Sequence, residues 1–339
     1  MNRRDFIKTV AVASLAREVG VLASPAEADA AHQINTVLGP IPATGLGQTL
    51  MHEHILTDFI GADRVGPGRY DAQDVIRAAL PHLREVKSLG CGTLVECTPA
   101  YMGRAPEVMA ALSKASGLHI LTNTGFYGAA ADRYVPRSAY AQTAEALATL
   151  WTREFQDGIP PTGIRPGFIK IGTDAGPLSD IDAKLASAAA LTHQQTGLAI
   201  VSHSGNGVAA MAQLALLKQH GVQPSAFIWA HAQDEQDTTY HRRAADEGAW
   251  VEFDGISPES TTRHIDLILR LKKAGHLERT LISEDTGSYH VGEPGGGSFG
   301  GYGFLFTGFL PEALKSGLSQ DDVRTLLSRN PQRALTPLR

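Results

Sequence analysis

The chain is poor in the features that would tie it to disulfide, nucleic-acid or membrane chemistry. Its 339 residues include only two cysteines, Cys91 and Cys97. The stretch that holds them, GCGTLVECT, reads as a strand, which at ~3.3 Å per residue would separate them by ~20 Å. A disulfide needs Cα atoms within about 7 Å, so two free thiols are expected. There is no dense Lys/Arg patch, and a net charge of −5 with a pI near 6.2 argues against a nucleic-acid or anionic-membrane partner. No run approaches the ~20 apolar residues that a membrane-spanning helix needs. Tandem repeats and low-complexity tracts are also missing. What is present is an ordinary globular composition, 43% hydrophobic and 19% charged, on a chain long enough to bury a large core.

The first residues, MNRRDFIKTVAVASLA, pair Arg3 with Arg4 and follow them with Phe6, Lys8 and a short apolar run. This resembles a twin-arginine export signal, with Ala28-Asp29-Ala30 as its small-residue cleavage site. Residues 1–30 are therefore expected to be a leader, and residues 31–339 a domain that folds before reaching the periplasm or the exterior. The apolar run is broken by Arg17-Glu18, so a basic amphipathic helix on a cytoplasmic protein is the alternative.

Beyond the leader, short β-branched or apolar runs alternate with longer helical patterns. Strands are expected at 49–52, 93–96, 119–123, 167–171, 199–202, 227–230, 250–253 and 280–283. Between them, apolar residues recur at helical spacing, as in Ile265, Ile268, Leu269 and Leu271. Gly90, Gly197, Gly221 and Gly275 stand where helix C-caps belong. Eight strand–helix alternations at this length suggest an α/β fold, a single-domain (β/α)8 TIM barrel. A doubly wound open sheet would alternate in the same way.

In such a barrel, functional side chains sit at the C-terminal ends of the strands. The first strand, in TLMHEHILTDF, carries His52 and His54. Alternation points an i, i+2 pair to one side, here the barrel mouth, and turns the intervening Glu53 toward the barrel wall. Strand 4 carries Lys170, strand 5 ends in His203, strand 6 in His231, and strand 8 in Asp285. Singly, each has a plain reading as a buried hydrogen-bonded histidine, a snorkelling lysine or a capping aspartate. Four imidazoles, an amine and a carboxylate collected at one rim instead suit Zn²⁺, Mn²⁺, Co²⁺ or Fe²⁺.

From about Gly39 to the C-terminus the chain resembles the phosphotriesterase family of the amidohydrolase superfamily, including its lactonase-like members. The resemblance rests on TLMHEH, GFIKIG, the His203 and His231 strand ends, SED at Asp285, and the closing NPQRALTPLR. It implies two divalent metal ions, zinc first among them. His52, His54 and Asp285 would hold the more buried ion, and His203 and His231 the more exposed one. Lys170 would bridge both as a carbamate formed with CO₂. It further implies a hydroxide held between the ions as nucleophile, and Asp285 and Lys170 as the catalytic side chains.

This chain departs from the family pattern after strand 7. Where phosphotriesterases carry a relay histidine, EFDGIS retains Asp254 but places Gly255 at the relay position. Asp234 matches the family's outer aspartate. Asp254 is either on the substrate side or a hydrogen-bond partner within the barrel. Tyr127, in NTGFYG, resembles a substrate-facing tyrosine of lactonase-like members, and Cys97 could line the pocket as a small hydrophobe. The Gly-rich GEPGGGSFGGYG, residues 292–303, lacks the GK[ST] ending of a phosphate-binding loop. It is expected to shape the pocket, with Tyr289, Phe299 and Tyr302 as an apolar wall.

The expected protein is thus a binuclear metal hydrolase acting on a small-molecule lactone, ester or organophosphate. A homodimer is compatible with the resemblance. The principal alternative is an aryldialkylphosphatase. Two others are a metal-loaded binding protein without turnover and a single-metal amidohydrolase acting on cyclic amides.

Overall fold

The computed structural model describes residues 33–338. The expected leader falls outside them. The chain enters through an antiparallel hairpin, β1 (Gln33–Thr36) and β2 (Gly39–Pro42). The barrel strands then follow: β3 (Gln48–Thr57), β4 (Cys91–Glu96), β5 (His119–Leu121), β6 (Asn123–Thr124), β7 (Phe168–Thr173), β8 (Ile200–Ser204), β9 (Phe227–Ala230), β10 (Trp250–Phe253) and β11 (Thr280–Ile282). A further strand, β12 (Gly287–His290), runs parallel to the end of β3.

Hydrogen bonding follows chain order. One sheet runs β12-β3-β4-β5 and the other β6 through β11, with every neighbouring pair parallel. The two sheets are parts of one ring. At one seam only Thr122 separates β5 from β6. At the other, the turn after β11 bonds to β3: the Asp285 N–H donates to the His52 carbonyl, and the His54 N–H to that of Thr286, both at 3.0 Å. This is the expected TIM barrel, with helices outside a ring of buried strands.

The helices form for legible reasons. In Ala72–Ser88, Val75, Ala79, Leu83 and Val86 fall on one face and are buried against the barrel. Each fully buried Val or Leu contributes about 1.5–3 kcal/mol. Asp71 starts that helix by accepting the Gln73 N–H at 2.7 Å. Ser179 and Asp182 form a capping box at the start of Asp180–Thr196, and Gly197 ends that helix at φ +75°.

Both cysteines are free and buried. Three elements had not been expected from the sequence. They are the β1–β2 hairpin, β12, and the helical run Leu305–Lys315 and Gln320–Leu335 that completes the outer ring.

Candidate metal centre

Strand alternation delivers the first three side chains. His52 and His54 project from β3 and Lys170 from β7, while His203 sits near the end of β8. His231 lies one residue beyond β9 at φ +61°, and Asp285 in the turn after β11 at φ +49°. The six converge at one end of the barrel. Lys170 Nζ is 3.0 Å from His52 Nε2, and His54 Nε2 is 3.1 Å from Asp285 Oδ1. The His52 and His231 ring centroids are 4.7 Å apart, and those of His203 and His231 4.3 Å.

Behind the centre, other side chains tie back the far ring nitrogens. His231 Nδ1 meets Asp254 Oδ1 at 2.6 Å, and the His231 N–H donates to Asp254 Oδ2 at 3.0 Å. His52 Nδ1 lies 3.1 Å from the same Oδ2 and 3.4 Å from Glu252 Oε2. His54 Nδ1 meets the Thr98 hydroxyl at 2.8 Å. With Nδ1 committed, His52 and His54 present Nε2 to Lys170 and Asp285 at the centre, the arrangement that orients metal-bound imidazoles. Ligand atoms of His52, His54 and Asp285 all lie within 4.8 Å of one another, as do those of His52, His231 and Asp254. The donor set fits divalent ions that prefer nitrogen and oxygen ligands.

Electrostatics agree. Burial lowers the His54 imidazole below its usual range. Burial, with the nearby charges of His231 and Lys170, holds His203 well below it. Neutral rings keep the lone pair that a metal needs. Burial works to raise Asp254 and Asp285, but contacts with His231 and His52 hold Asp254 well below the carboxylate range. For Asp285 the His54 hydrogen bond and the His52 charge do the same. His52 is the exception: burial works to lower it, but the neighbouring Cys97 and Asp254 hold it well above the usual imidazole range, so the two carboxylates favour a cation, proton or metal, between them.

Above the six lies a cavity of about 490 Å³. Phe59, Met102, Tyr127 and Tyr134 give it apolar lining, and Asp234 and His290, the latter edge-on to Phe59, give it polar lining. Tyr127 reaches this position because Gly172 faces it; a Cβ there would come within 2.7 Å of the Tyr127 ring. Cys97 also lines the cavity, as a small buried side chain.

Four expected pocket residues lie elsewhere. Asp254 is fully buried behind the histidines and is their hydrogen-bond partner, with no face on the cavity. Tyr302 is fully buried and donates its hydroxyl to the His54 carbonyl at 2.6 Å. Phe299 stacks on His82 of the Ala72–Ser88 helix, with ring centroids 4.9 Å apart. Tyr289 packs under the Gly-rich loop, where a Cβ on Gly296 would fall 2.1 Å from its ring. The reason is β12, whose pairing with β3 leads residues 292–303 away from the cavity. Thr286, Gly287, Ser288 and His290 make the wall instead.

Sequence reasoning missed Thr98, Glu252 and Gln233, which donates to Asp254 Oδ1 at 2.7 Å. Glu252 had a signal. It stands two residues before Asp254 on β10, the same alternation that paired His52 with His54. Glu53 does face away from the cavity, yet its carboxylate accepts three hydrogen bonds from the turn that bears Asp285.

A model of the phosphotriesterase family matches residues 32–335. The chain is 32% identical to a phosphotriesterase homology protein of Escherichia coli over 84% of this chain and 96% of that protein. It is 24% identical to an aryldialkylphosphatase of Saccharolobus solfataricus, over 86% and 96% of the two chains. It is 26% identical to an N-acetyltaurine hydrolase of Salmo salar, over 90% and 98%.

Proposed function

The chain belongs to the phosphotriesterase family, whose members are metal-dependent hydrolases, and from that premise we propose that it hydrolyses an uncharged carboxylic ester, a lactone foremost. One observation carries this reading. Among the described residues lining the cavity, Lys170 is the only Lys or Arg, and it sits at the floor within the ligand cluster. A sulfonate such as that of N-acetyltaurine would find no guanidinium or ammonium on the walls. A neutral ring or ester needs none, and the apolar lining from Phe59, Met102, Tyr127 and Tyr134 suits it.

In this proposal His52, His54 and Asp285 would hold one ion, zinc by preference, and His203 and His231 the other. Lys170 would serve both, since CO₂ would turn its buried amine into a carboxylate-like carbamate. When bound, the ions supply an acidified water and a Lewis acid. Asp285 takes the proton released as water oxygen adds to the ester carbonyl carbon. The ring C–O bond then breaks and its oxygen takes that proton, leaving a hydroxy acid. Asp254 fixes the His52 and His231 rings throughout, and Tyr127 offers the substrate a neutral phenol, which burial and the Asp285 charge keep protonated.

Uncharged phosphotriesters fit the same wall and make aryldialkylphosphatase activity the second reading. What weighs against it is Gly255. A Cβ there would lie 3.2 Å from Gln233 Nε2, so an amide stands where the relay imidazole would be. A panel of γ- and δ-lactones, aryl esters, an aryl dialkyl phosphate and N-acetyltaurine, assayed on the zinc-loaded enzyme, decides. The expected order of kcat/KM is lactone, aryl ester, phosphotriester, with N-acetyltaurine last. Preference for N-acetyltaurine would overturn the proposal, and so would absence of turnover with metal bound.

A further inference from the structure

We infer that Glu53, between the two histidines of HEH, is a positioning residue that holds Asp285 in place. The inference rests on the reading of Asp285 as a metal ligand. Glu53 is fully buried, and its two oxygens straddle Asp285. Oε1 accepts the Ser283 hydroxyl at 2.7 Å and the Glu284 N–H at 2.9 Å. Oε2 accepts the Thr286 N–H, also at 2.9 Å. The residues before and after Asp285 are thus fastened to one carboxylate. The Ser283 hydroxyl in turn accepts the His52 N–H at 2.9 Å.

Such fastening has a local purpose. Asp285 adopts φ +49°, a region that non-glycine residues rarely occupy and keep only where the surroundings over-determine them. Its own N–H is bonded to the His52 carbonyl at 3.0 Å. The strand that supplies two imidazoles therefore also sets where the carboxylate stands. The device is written into three consecutive residues: the outer two face the centre, and the middle one reaches across to the turn.

Glu53→Gln keeps the shape but leaves one acceptor oxygen. Either the Thr286 N–H or the Ser283–Glu284 pair must then face an NH₂ group. The test compares the wild type, Glu53→Gln, Asp285→Asn and, as a control, Val86→Ala, which opens a void in the Ala72–Ser88 helix face away from the centre. Zinc affinity is read by chelator competition, and ligand geometry by the visible absorption of the Co²⁺-substituted protein. Glu53→Gln is expected to weaken one ion about 10–100-fold and to alter the Co²⁺ spectrum, as loss of an outer partner does. It should lower kcat more than it changes KM. Val86→Ala should lower the melting temperature and leave both metal readouts alone.

Wild-type affinity and spectrum in Glu53→Gln would overturn the inference, and so would a change in melting temperature alone. Asp285→Asn separates the two readings. If it loses an ion while Glu53→Gln does not, only the positioning role fails. If it too binds as the wild type does, the assignment of Asp285 as a ligand fails, and the role of Glu53 with it. Should Glu53→Gln give no soluble protein, Ser283→Ala removes one arm. About 3–10-fold weaker binding of one ion is then expected, and unchanged binding overturns the inference.

Discussion

The two halves of the centre are held by different means. On the inner side, His52, His54 and Asp285 are laced together by backbone bonds between β3 and the turn after β11, with the Glu53 carboxylate across that turn. On the outer side His231 is held by the Asp254 carboxylate, but the surroundings of His203 are neutral. The His203 ring packs edge-on between His231 and Tyr127. Its chain neighbours, Ser202 and Ser204, are tied to the buried amide of Gln213 at 2.7 and 2.9 Å. That amide also donates to the Thr173 hydroxyl at 3.1 Å. Three hydrogen bonds to Glu53 and two backbone bonds to β3 fix the Asp285 turn at more points than hold the His203 ring. The inner ion is therefore expected to be retained when the outer one exchanges.

Asp254 spans the divide, meeting His52 on one side and His231 on the other. Asp254→Asn leaves one acceptor oxygen where two are used and removes the negative charge that both rings face. Both ions should bind about 10–100-fold more weakly, with activity falling at least in parallel. Titration of the apo-protein with zinc measures this. Loss confined to one ion would show that the halves are independent. Gln213→Leu should act on the outer half alone. It leaves the Ser202, Ser204 and Thr173 hydroxyls without their amide partner, which costs about 1–3 kcal/mol of stability. One ion is expected to weaken about tenfold, and equal weakening of both would break the comparison.

What could be read from the sequence divides along a related line. The six candidate ligands were legible because strand alternation and strand ends fix where side chains point, whatever packs outside them. The Gly-rich segment was misread for the opposite reason. Its course depends on β12, whose GSYH carries no alternating apolar signal and forms only because β3 offers it an edge beyond His54. Gly287 permits that approach, since a Cβ there would sit 2.2 Å from the His54 carbonyl oxygen. Phe299 and Tyr302 then serve packing rather than the cavity. Gln213 and Thr98 were invisible because helix and loop residues reach the centre's outer partners only through tertiary contact, which no local period encodes.

The inner half also carries a cost at a buried carboxyl that hydrogen bonds leave half-satisfied. Glu96, on β4, is fully buried; Oε1 accepts the Ile55 N–H at 3.1 Å, and Oε2 has no hydrogen-bond partner among the described residues. Burial pushes this carboxyl up to about 8. In the unfolded chain it ionises near the ordinary glutamate value, about 4.3. Between those values the unfolded state releases a proton that the folded state keeps. Stability of the metal-free protein therefore falls as pH rises through this window, by up to about 1.4 kcal/mol per pH unit from this group. Glu96→Gln removes the penalty while keeping an oxygen for Ile55. At pH 5 the ionisation penalty is only about 1 kcal/mol, so with the new amide's burial charged against it the variant should melt below the wild type. At pH 7.5 the variant should be the more stable, by on the order of 1–2 kcal/mol once the new amide's own burial is charged against it. Melting curves of the two apo-proteins across that range measure the difference. A gap that stays constant with pH would show that the carboxyl ionises as readily in the fold as in the unfolded chain, and that the inner half bears no such cost.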